Sequence, residues 1–353
     1  MRLLTVTALA LLAAPAVAAP PVAGPPPSVA ALHVEPAGEV VDLTPAELPG
    51  RHEEPHKPHA AAHAEGGVTL AAEVLLWRPR FGDTAYALLD PLADLTPQGR
   101  VRDVQPGNKA GLRVGGRYQF EHTGWDIGVT YTHLRTTGGD DTTAAPGGLV
   151  YPLLTRAGMT DRANRAAAEV TLKYNVFDLE VGKSLALDDH LTVRPFAGVR
   201  FADLDTRLTA TYDGRLARAA EVTINSTFRG AGPLAGVATE WTLGEHVRLF
   251  GAARGGLLYG TFDTRGRETN GAGTILLADV ADRYSGAVPT AGVSLGGGYR
   301  WRSLNLSGGY ELTHYFGGVS RPDLADDFAE GRVSRRRGDL SLDGVFLRFE
   351  YTY

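Results

Sequence analysis

Apolar and polar residues alternate along most of the chain beyond residue 67, and the clearest stretch runs from Lys109 to Glu121. Every second residue there is apolar or glycine, and those between are charged, amide or glycine. Because successive side chains of a strand point to opposite sides, the pattern predicts a strand with one apolar and one charged face. The segment His122-Thr123-Gly124 interrupts the alternation before it resumes at Trp125, which predicts a hairpin with a tight turn.

The same alternation recurs up to the C-terminal stretch 345–353, and counting the stretches predicts about ten strands. One irregularity affects this count. The apolar positions between Ala168 and Tyr174 are followed by Phe177 with the parity shifted by one, which predicts a β-bulge near Val176. If the chain turns between Tyr174 and Val176 instead, the count rises toward about twelve.

Short and long connections alternate between the predicted strands. The short connections are tight turns, near His122, Asp189, Glu245 and Trp301. The long connections are polar loops, near residues 81–108, 137–165, 203–228, 260–286 and 316–339. Short turns at one end and long loops at the other are typical of an outer-membrane barrel with periplasmic turns. The sequence therefore predicts an all-β fold, a transmembrane antiparallel up-and-down β-barrel.

A soluble β-sandwich would also produce alternation, because one face of each sheet packs against the other sheet. Two features favour the barrel. The predicted strands exceed the roughly five or six residues usual in soluble sheets. Aromatic residues also gather at the predicted strand ends, as in the interfacial girdles of barrels: Trp77, Trp125, Trp241, Trp301 and Tyr353.

Composition narrows the class of protein further. The mean hydropathy of −0.12 over 353 residues is too low for a protein that crosses a membrane with many helices. The formal net charge of −5 is spread along the chain, so no basic stripe predicts nucleic-acid binding. Cysteine is absent from the sequence, which excludes disulfides, zinc-thiolate sites and a cysteine nucleophile.

The N-terminal part differs from the rest of the chain. Residues 1–18 have the features of a signal peptide, with Arg2 before an apolar run and Ala16-Val17-Ala18 as a cleavage motif. Residues 19–66 are rich in proline and histidine and poor in large apolar residues, which predicts a disordered periplasmic linker. Four histidines in the linker are a candidate metal site, but the prolines between them favour a solvated segment. The barrel is predicted over residues 67–353.

The charged strand faces are predicted to line the barrel lumen. The candidate lumen residues are Lys109, Arg113, Arg117, Lys173, Arg194, Arg200, Glu240, Arg248, Arg254, Arg300, Glu311 and Arg348. One interpretation of these residues is a charged ring that filters ions in an open pore. The other is a lumen filled by mutually neutralising ion pairs, as expected in a narrow barrel packed with side chains. The sequence leaves both interpretations open.

Several segments resemble the Legionella-type major outer membrane protein family. The resemblance is carried by residues 72–80 (AEVLLWRPR), Gly124-Trp125-Asp126, residues 177–201 (FDLEVGKSLALDDHLTVRPFAGVRF), Gly232-Pro233, Leu257-Leu258-Tyr259-Gly260 and the aromatic C-terminus. It covers nearly all of the predicted barrel but not the linker. Members of the family are pore-forming, so the resemblance implies an outer-membrane pore that passes small solutes or ions. It implies no catalytic, metal-binding or cofactor-binding residues.

Two other functions remain open. The long predicted loops also suit a structural tether or surface adhesin with a plugged lumen. An outer-membrane barrel enzyme would need a nucleophile beside a base on adjacent strands. The histidines are scattered and no serine recurs beside them in the sequence, so we expect no enzyme.

The expected partners follow from the location. We expect contacts with outer-membrane lipids and lipopolysaccharide, whose phosphates the loop segment Arg335-Arg336-Arg337 is suited to bind. The aromatic C-terminal strand is expected to be recognised by the barrel-assembly machinery. An oligomer remains open, and neither a nucleic-acid partner nor a cofactor is expected.

Overall fold

The computed structural model describes residues 66–94, 96–324 and 333–353. The predicted signal peptide and linker therefore lie outside the described residues, apart from Gly66. No helix in the described part of the chain is long and apolar enough to span a membrane. The strands found there are β1 (Gly67–Phe81), β2 (Ala85–Asp90), β3 (Arg100–Asp103), β4 (Lys109–Gln119), β5 (Trp125–Thr143), β6 (Leu149–Pro152), β7 (Arg165–Lys183), β8 (Leu185–Ala186), β9 (Leu191–Gly214), β10 (Ala217–Leu243), β11 (Val247–Asn270), β12 (Ile275–Trp301), β13 (Leu304–Leu324) and β14 (Val333–Thr352).

Ten of these strands form a closed wall. Apart from β2, β3, β6 and β8, each strand pairs antiparallel with the next wall strand along the chain, and β14 pairs with β1 to close the ring. The pairing is in continuous register over long stretches, for example from Trp125↔Lys183 to Thr143↔Arg165 between β5 and β7. The predicted antiparallel up-and-down barrel and its count of ten strands are confirmed.

The two ends of the wall differ in their connections. One end carries short turns at residues 120–124, 184–190, 244–246 and 302–303. The first and last wall strands also meet there, where the Val68 amide donates to the Tyr353 carbonyl (3.1 Å). Short turns and chain termini mark the periplasmic end of a bacterial outer-membrane barrel, so we call the opposite end extracellular.

Three segments predicted to be long loops consist largely of strands, so these three predictions are wrong. Residues 203–228 and 260–286 instead form extended hairpins whose strands meet at residues 215–216 and 271–274, and most of 316–339 also lies in β13 and β14. The outward residues of these segments are polar, so in the sequence the segments resemble loops. The strand ladder continues through them nevertheless, because the backbone hydrogen bonds of neighbouring strands do not depend on what the outward side chains are.

A lipid-facing band surrounds the periplasmic half of the wall. On β4 the predicted apolar face, including Leu112, Val114 and Tyr118, points outward and is exposed. Aromatic side chains border the band at its periplasmic edge, namely Trp125, Trp241, Trp301 and Tyr353. A second exposed set borders it on the extracellular side, namely Tyr131, Phe177, Phe201 and Tyr259. Two aromatic girdles around an apolar band are the signature of a membrane-spanning barrel.

Above the band, the polar residues of the wall strands face outward and the apolar residues face inward, the reverse of the arrangement within the band. On β7 the outward residues change from Phe177 and Leu179 to Lys173, while the inward residues change from Asp178 to Leu172. The side-chain parity itself is unbroken, since β7 pairs with β5 and β9 without a register shift. The predicted bulge near Val176 is therefore wrong. The apparent shift of the pattern arises because the wall leaves lipid for water, so the apolar face moves from the outside to the inside.

Candidate functional site in the barrel lumen

The periplasmic half of the lumen contains arginines and carboxylates joined in clusters. In one cluster near the periplasmic mouth, Arg194 Nε on β9 donates to Asp126 Oδ2 on β5 (2.7 Å), and its Nη1 lies 3.6 Å from Glu180 Oε2 on β7. Arg117 Nε on β4 lies 3.5 Å from Asp126 Oδ1. The planar guanidinium can reach several carboxylates at once, so one cluster ties four strands together.

A second cluster lies across the same mouth. Arg248 Nη1 on β11 donates to both carboxylate oxygens of Glu240 on β10 (2.8 and 3.0 Å). Arg300 on β12 approaches the same carboxylate at 3.5 Å, and Arg248 approaches Glu350 on β14 at 4.0 Å. Two arginines and two carboxylates therefore balance on this side of the mouth, as they do in the first cluster.

A deeper cluster joins β1, β4, β13 and β14. Glu73 accepts hydrogen bonds from Arg113 Nη1 (2.8 Å) and Arg348 Nε (2.7 Å). Glu311 binds Arg113 (Nη2 to Oε1, 3.1 Å) and accepts a hydrogen bond from Trp77 Nε1 (3.0 Å). The predicted place of Trp77 in the lipid girdle is therefore wrong: the side chain is only 1% exposed and points inward. Its position on β1 has the same parity as Glu73, which fixes it on the lumen face.

Sequence reasoning missed Asp178 and Glu180, which both contribute to the lumen. Arg200 forms a bidentate pair with Asp178, with Nε to Oδ1 and Nη2 to Oδ2 both at 2.7 Å, and both side chains are buried. The signal was present in the sequence, because unbroken alternation from Ala166 places Asp178 and Glu180 on one face. The bulge predicted near Val176 concealed it.

A layer of aromatic side chains closes the lumen above these clusters. This aromatic layer consists of Trp77, Tyr174 and Tyr315, from β1, β7 and β13. Tyr174 lies edge-on to both partners, with ring centroids 5.8 Å from Trp77 and 5.9 Å from Tyr315. The two tyrosine hydroxyls are 2.7 Å apart. Edge-to-face packing is favoured by the ring quadrupoles, and all three rings are buried, so water is excluded at this level.

The lumen above the aromatic layer is packed like the core of a soluble protein. Its buried side chains include Val170, Leu172, Leu204, Leu208, Tyr212, Ile224, Phe228 and Phe262. A cavity of about 30 Å³ remains between this core and residues 319–321, and it is lined by Val170, Leu208 and Ile224. That volume holds about two water molecules, and the buried side chains occupy the lumen around it.

A roof covers the extracellular end of the lumen. It comprises the three-stranded sheet β3-β2-β6, residues 153–164 and the upper part of β13. The sheet is anchored through Tyr86, whose carbonyl accepts from Tyr212 Oη (2.7 Å) and whose hydroxyl donates to Asp140 Oδ2 (2.8 Å). Burial, together with this hydrogen bond to Asp140, raises the pKa of Tyr86 to about 12. The anchor stays intact at neutral pH.

Two further contacts fix the roof. Glu268 at the top of β11 accepts hydrogen bonds from the Arg156 amide (2.6 Å) and the Thr160 hydroxyl (3.2 Å). Burial raises the pKa of the Glu268 carboxyl above its ordinary value, against the opposing effect of these hydrogen bonds. Arg321 on β13 donates from Nε to Asp83 Oδ2 after β1 (2.6 Å).

Most of the predicted lumen residues have inward positions in the register. These are Arg113, Arg117, Arg194, Arg200, Glu240, Arg248, Arg254, Arg300, Glu311 and Arg348. Lys173 does not, and its prediction is wrong: it points outward above the lipid band and binds Asp205 (3.2 Å). Lys109 has the inward parity, opposite Trp77 in the register, but is exposed at the extracellular end of β4. The error at Lys173 has the same cause as the predicted bulge, because the charged face of β7 is outward there.

The periplasmic mouth of the lumen is partly exposed to solvent. Arg117 and Arg300 near the mouth are 49% and 53% exposed, although they point into the barrel. Further in, Arg254 on β11 lies among small inward residues such as Ala252 and Ser294. Among the described residues, the Arg254 guanidinium has neither an ion pair nor a hydrogen bond. The periplasmic mouth is therefore partly exposed, and an arginine without a partner among the described residues lies further in on the inward face of β11.

Other candidate residues have structural partners. The segment Arg335-Arg336-Arg337, expected to meet lipopolysaccharide, faces neighbouring side chains: Arg335 Nε donates to Asp282 Oδ2 (2.6 Å), and Arg337 lies over the Tyr284 ring at 5.3 Å. No group of metal-binding side chains occurs within the described residues. The histidines of the predicted linker lie outside that part of the chain.

Comparison with known proteins identifies the family and the fold. The family model described as the Legionella pneumophila major outer membrane protein precursor matches residues 62–353. The outer membrane protease OmpT from Escherichia coli aligns with a TM-score of 0.51 at 12% identity, over 84% of this chain and 99% of that one. At this identity the likeness shows the barrel fold alone.

Two further solved structures are similar to a lesser degree. The attachment invasion locus protein Ail of Yersinia pestis aligns at 8% identity over 82% of this chain and 99% of that one, with a TM-score of 0.27. A Pseudomonas aeruginosa FadL homologue aligns at 10% identity over 82% and 90%, with a TM-score of 0.25. No curated protein sequence matches the chain.

Proposed function

The chain belongs to the Legionella pneumophila major outer membrane protein family and lies in the outer membrane, and from this premise we propose that it is a pore-forming protein for small ions. The observation that supports the proposal is Arg254, an inward-facing arginine with no partner among the described residues, behind a periplasmic mouth whose Arg117 and Arg300 are about half exposed. A purely structural lumen would neutralise this charge as it neutralises the other lumen arginines. Because the packed core and the roof lie beyond the aromatic layer, conduction requires the rings, the core and the roof to move.

The unpaired arginine gives the pore a preference for anions. An unpaired charge on the wall of a narrow lumen attracts counter-ions strongly, because the low-dielectric walls focus its field. The remaining lumen arginines have carboxylate partners, so they contribute less to the field. Arg254 is therefore the residue expected to set the charge selectivity.

Single-channel recording in planar bilayers tests the proposal. The wild-type protein is expected to give conductance steps, and Arg254→Glu is expected to shift the reversal potential in a salt gradient toward cations. Arg265→Glu is the matched control, since Arg265 lies on the same strand but pairs with Asp279 on the outside of the barrel (2.7 Å). Equal reversal potentials in both variants and the wild type would contradict the role of Arg254.

A second function is a surface tether or adhesin with a closed lumen. The aromatic layer, the packed core and the roof favour it, because in the described part of the chain they fill and cover the extracellular half of the lumen. Bilayer recording of the folded wild type discriminates between the two functions. If the folded wild type gives no conductance steps, the lumen is a plugged structural element and the pore proposal fails.

A further inference from the structure

A polar row crosses three adjacent wall strands on the outer surface. Arg80 on β1 lies directly opposite Ser341 on β14, and Ser341 lies directly opposite His314 on β13. All three face outward, since their neighbours Tyr315, Leu340 and Leu342 are fully buried on the inward side. The row is independent of the lumen and of the function proposed for it.

The side chains of this row have the geometry of a nucleophile with its base. His314 Nδ1 lies 2.6 Å from Ser341 Oγ, and His314 Nε2 lies 3.5 Å from Asp339 Oδ2. A hydroxyl that donates to Nδ1 requires the neutral tautomer with its proton on Nε2, which is the nitrogen that faces the carboxylate. Serine, histidine and aspartate therefore stand in the order in which a serine hydrolase uses them.

We propose that Ser341, His314 and Asp339 form an ester-hydrolysing site on the outer wall of the barrel, with amphiphilic acyl esters as its substrates. Ser341 is the nucleophile, His314 the general base, and Asp339 the residue that orients the imidazole.

The backbone around the site holds these groups in place. The Asp339 carboxylate accepts a hydrogen bond from the Gly317 amide (2.7 Å), which fixes its direction. Gly317 has a φ of 64°, in the left-handed region that favours glycine, and it lies where the register between β13 and β14 shifts. The shift turns the Gly317 N–H toward the carboxylate instead of the strand ladder. A bulge that re-aims polar groups is a common device beside active sites.

The substrate class follows from where the row lies. Leu312 and Val345, below His314 and Ser341 on the same outward faces, are exposed in the lipid-facing band. Ala291 is opposite His314 on β12, so a small side chain leaves space beside the imidazole. An acyl chain can lie along the apolar band while its ester group reaches Ser341 at the upper edge. Soluble, short-chain esters lack the apolar part that would hold them there.

Arg80 lies opposite the nucleophile in the strand register. Its side chain is 57% exposed, and its guanidinium is oriented by Asp343, with Nε 3.2 Å from Oδ1. The Tyr310 hydroxyl also donates to Asp343 (2.5 Å), which fixes that carboxylate. A cationic donor opposite the nucleophile is suited to stabilise the oxyanion that forms when an ester carbonyl is attacked.

The reaction needs only the ester and water. Ser341 Oγ attacks the carbonyl carbon and its proton passes to His314 Nδ1, which then protonates the departing alkoxide as the ester C–O bond breaks. The acyl-serine is cleaved by water, which gives its proton to the same nitrogen, and that proton returns to Ser341 Oγ. The products are a carboxylic acid and an alcohol, with no change of oxidation state.

The test uses the folded full-length protein in lipid nanodiscs, with heat-modifiability on gels as the folding check. A fluorophosphonate probe should label Ser341 in the wild type, as located by peptide mass spectrometry. Hydrolysis of a long-chain 4-methylumbelliferyl ester should exceed that of the acetate ester. Ser341→Ala should abolish both signals, and His314→Gln should lower hydrolysis by about 10²–10⁴-fold.

The matched control is His133→Gln, because His133 is also outward-facing but bonds to the Asn175 side chain (2.8 Å). This variant should keep wild-type labelling and hydrolysis. Asp339→Asn should lower kcat and leave KM nearly unchanged, as expected of a residue that positions the base. A folded wild type that is neither labelled nor active would overturn the proposal, and so would activity that survives in Ser341→Ala.

Discussion

The periplasmic and extracellular halves of the barrel wall have the same strands and opposite interiors. Below the aromatic layer the outside is apolar and the inside contains ion-paired arginines and carboxylates, as around Glu73. Above it the outside has surface pairs such as Lys173 with Asp205, and the inside is a core that includes Phe228 and Phe262. The surrounding medium accounts for the difference, because lipid accepts apolar side chains on the outside and water does not.

The two halves also differ in which substitutions lower the free energy of unfolding. A buried ion pair in the lower half is expensive to break, since the remaining charge has no water to solvate it. A residue of the upper core is expensive to truncate because it leaves a cavity. An outward residue above the band is exposed to solvent, so most substitutions there have little effect on stability. The following experiments use these contrasts.

The largest expected effect is on the accessibility of an inserted tag, which shows which half of the barrel faces the outside of the cell. The tag should be either fully accessible or inaccessible. An epitope tag inserted in the turn after Asn270 should be reached by antibody on intact cells, because that turn is at the end opposite the termini. A tag at Gly244 should be reached only after the outer membrane is permeabilised. The reverse pattern of labelling would exchange the two halves.

Removing the indole at the boundary between the halves should cost about 3–5 kcal/mol of unfolding free energy. Trp77→Ala creates a cavity in the aromatic layer and takes a hydrogen bond from Glu311. Trp241→Ala is the matched control, since Trp241 is exposed at the periplasmic girdle and leaves no cavity. Denaturant unfolding in liposomes measures both variants, and equal losses would argue against a closed layer.

A charged residue introduced on the outer face of one strand should have different effects on stability in the two halves. Val129→Arg on β5 should cost about 2–4 kcal/mol if the position lies near the bilayer midplane. Thr137→Arg has the same parity on the same strand above the band, and should stay within about 0.5 kcal/mol of the wild type. Similar losses at both positions, measured in the same bilayers, would mean that the band is misplaced.

The smallest expected effect is a pH dependence in the roof. Burial raises the pKa of Glu268, so the folded state holds this proton more tightly than the unfolded state does. The resulting stabilisation is fully present below the ordinary pKa of 4.5 and is lost as the pH rises through the folded value. The melting temperature of the wild type relative to Glu268→Gln should therefore fall over that range. A constant difference would show that Glu268 does not titrate there.

The sequence alone determined the architecture. Alternation of the kind seen from Lys109 to Glu121, with short turns at one end, gave the antiparallel barrel and its ten strands. The inward positions of Arg113 and Arg200 also followed from it. Parity is a local property of a strand, so it can be read from consecutive residues without knowledge of their neighbours.

Two further features were encoded in the sequence but misinterpreted. The exchange of faces on β7 was taken for a bulge, and the polar upper hairpins were taken for loops. Both errors arose from the assumption that one environment surrounds a strand over its whole length. Lys173 was misplaced for this reason. Trp77 was misplaced for another, since it was assigned to the girdle by its residue type although its parity with Glu73 places it inside.

Only the tertiary structure decided which side chains meet. The pairs Arg113 with Glu73 and His314 with Ser341 are 40 and 27 residues apart along the chain. Their contact depends on the register between strands, which is set by every hydrogen bond and packed side chain of the wall together. The closure of the lumen depends likewise on rings from β1, β7 and β13 reaching the same height. A pattern along one strand specifies its faces, and the assembled barrel specifies what each face touches.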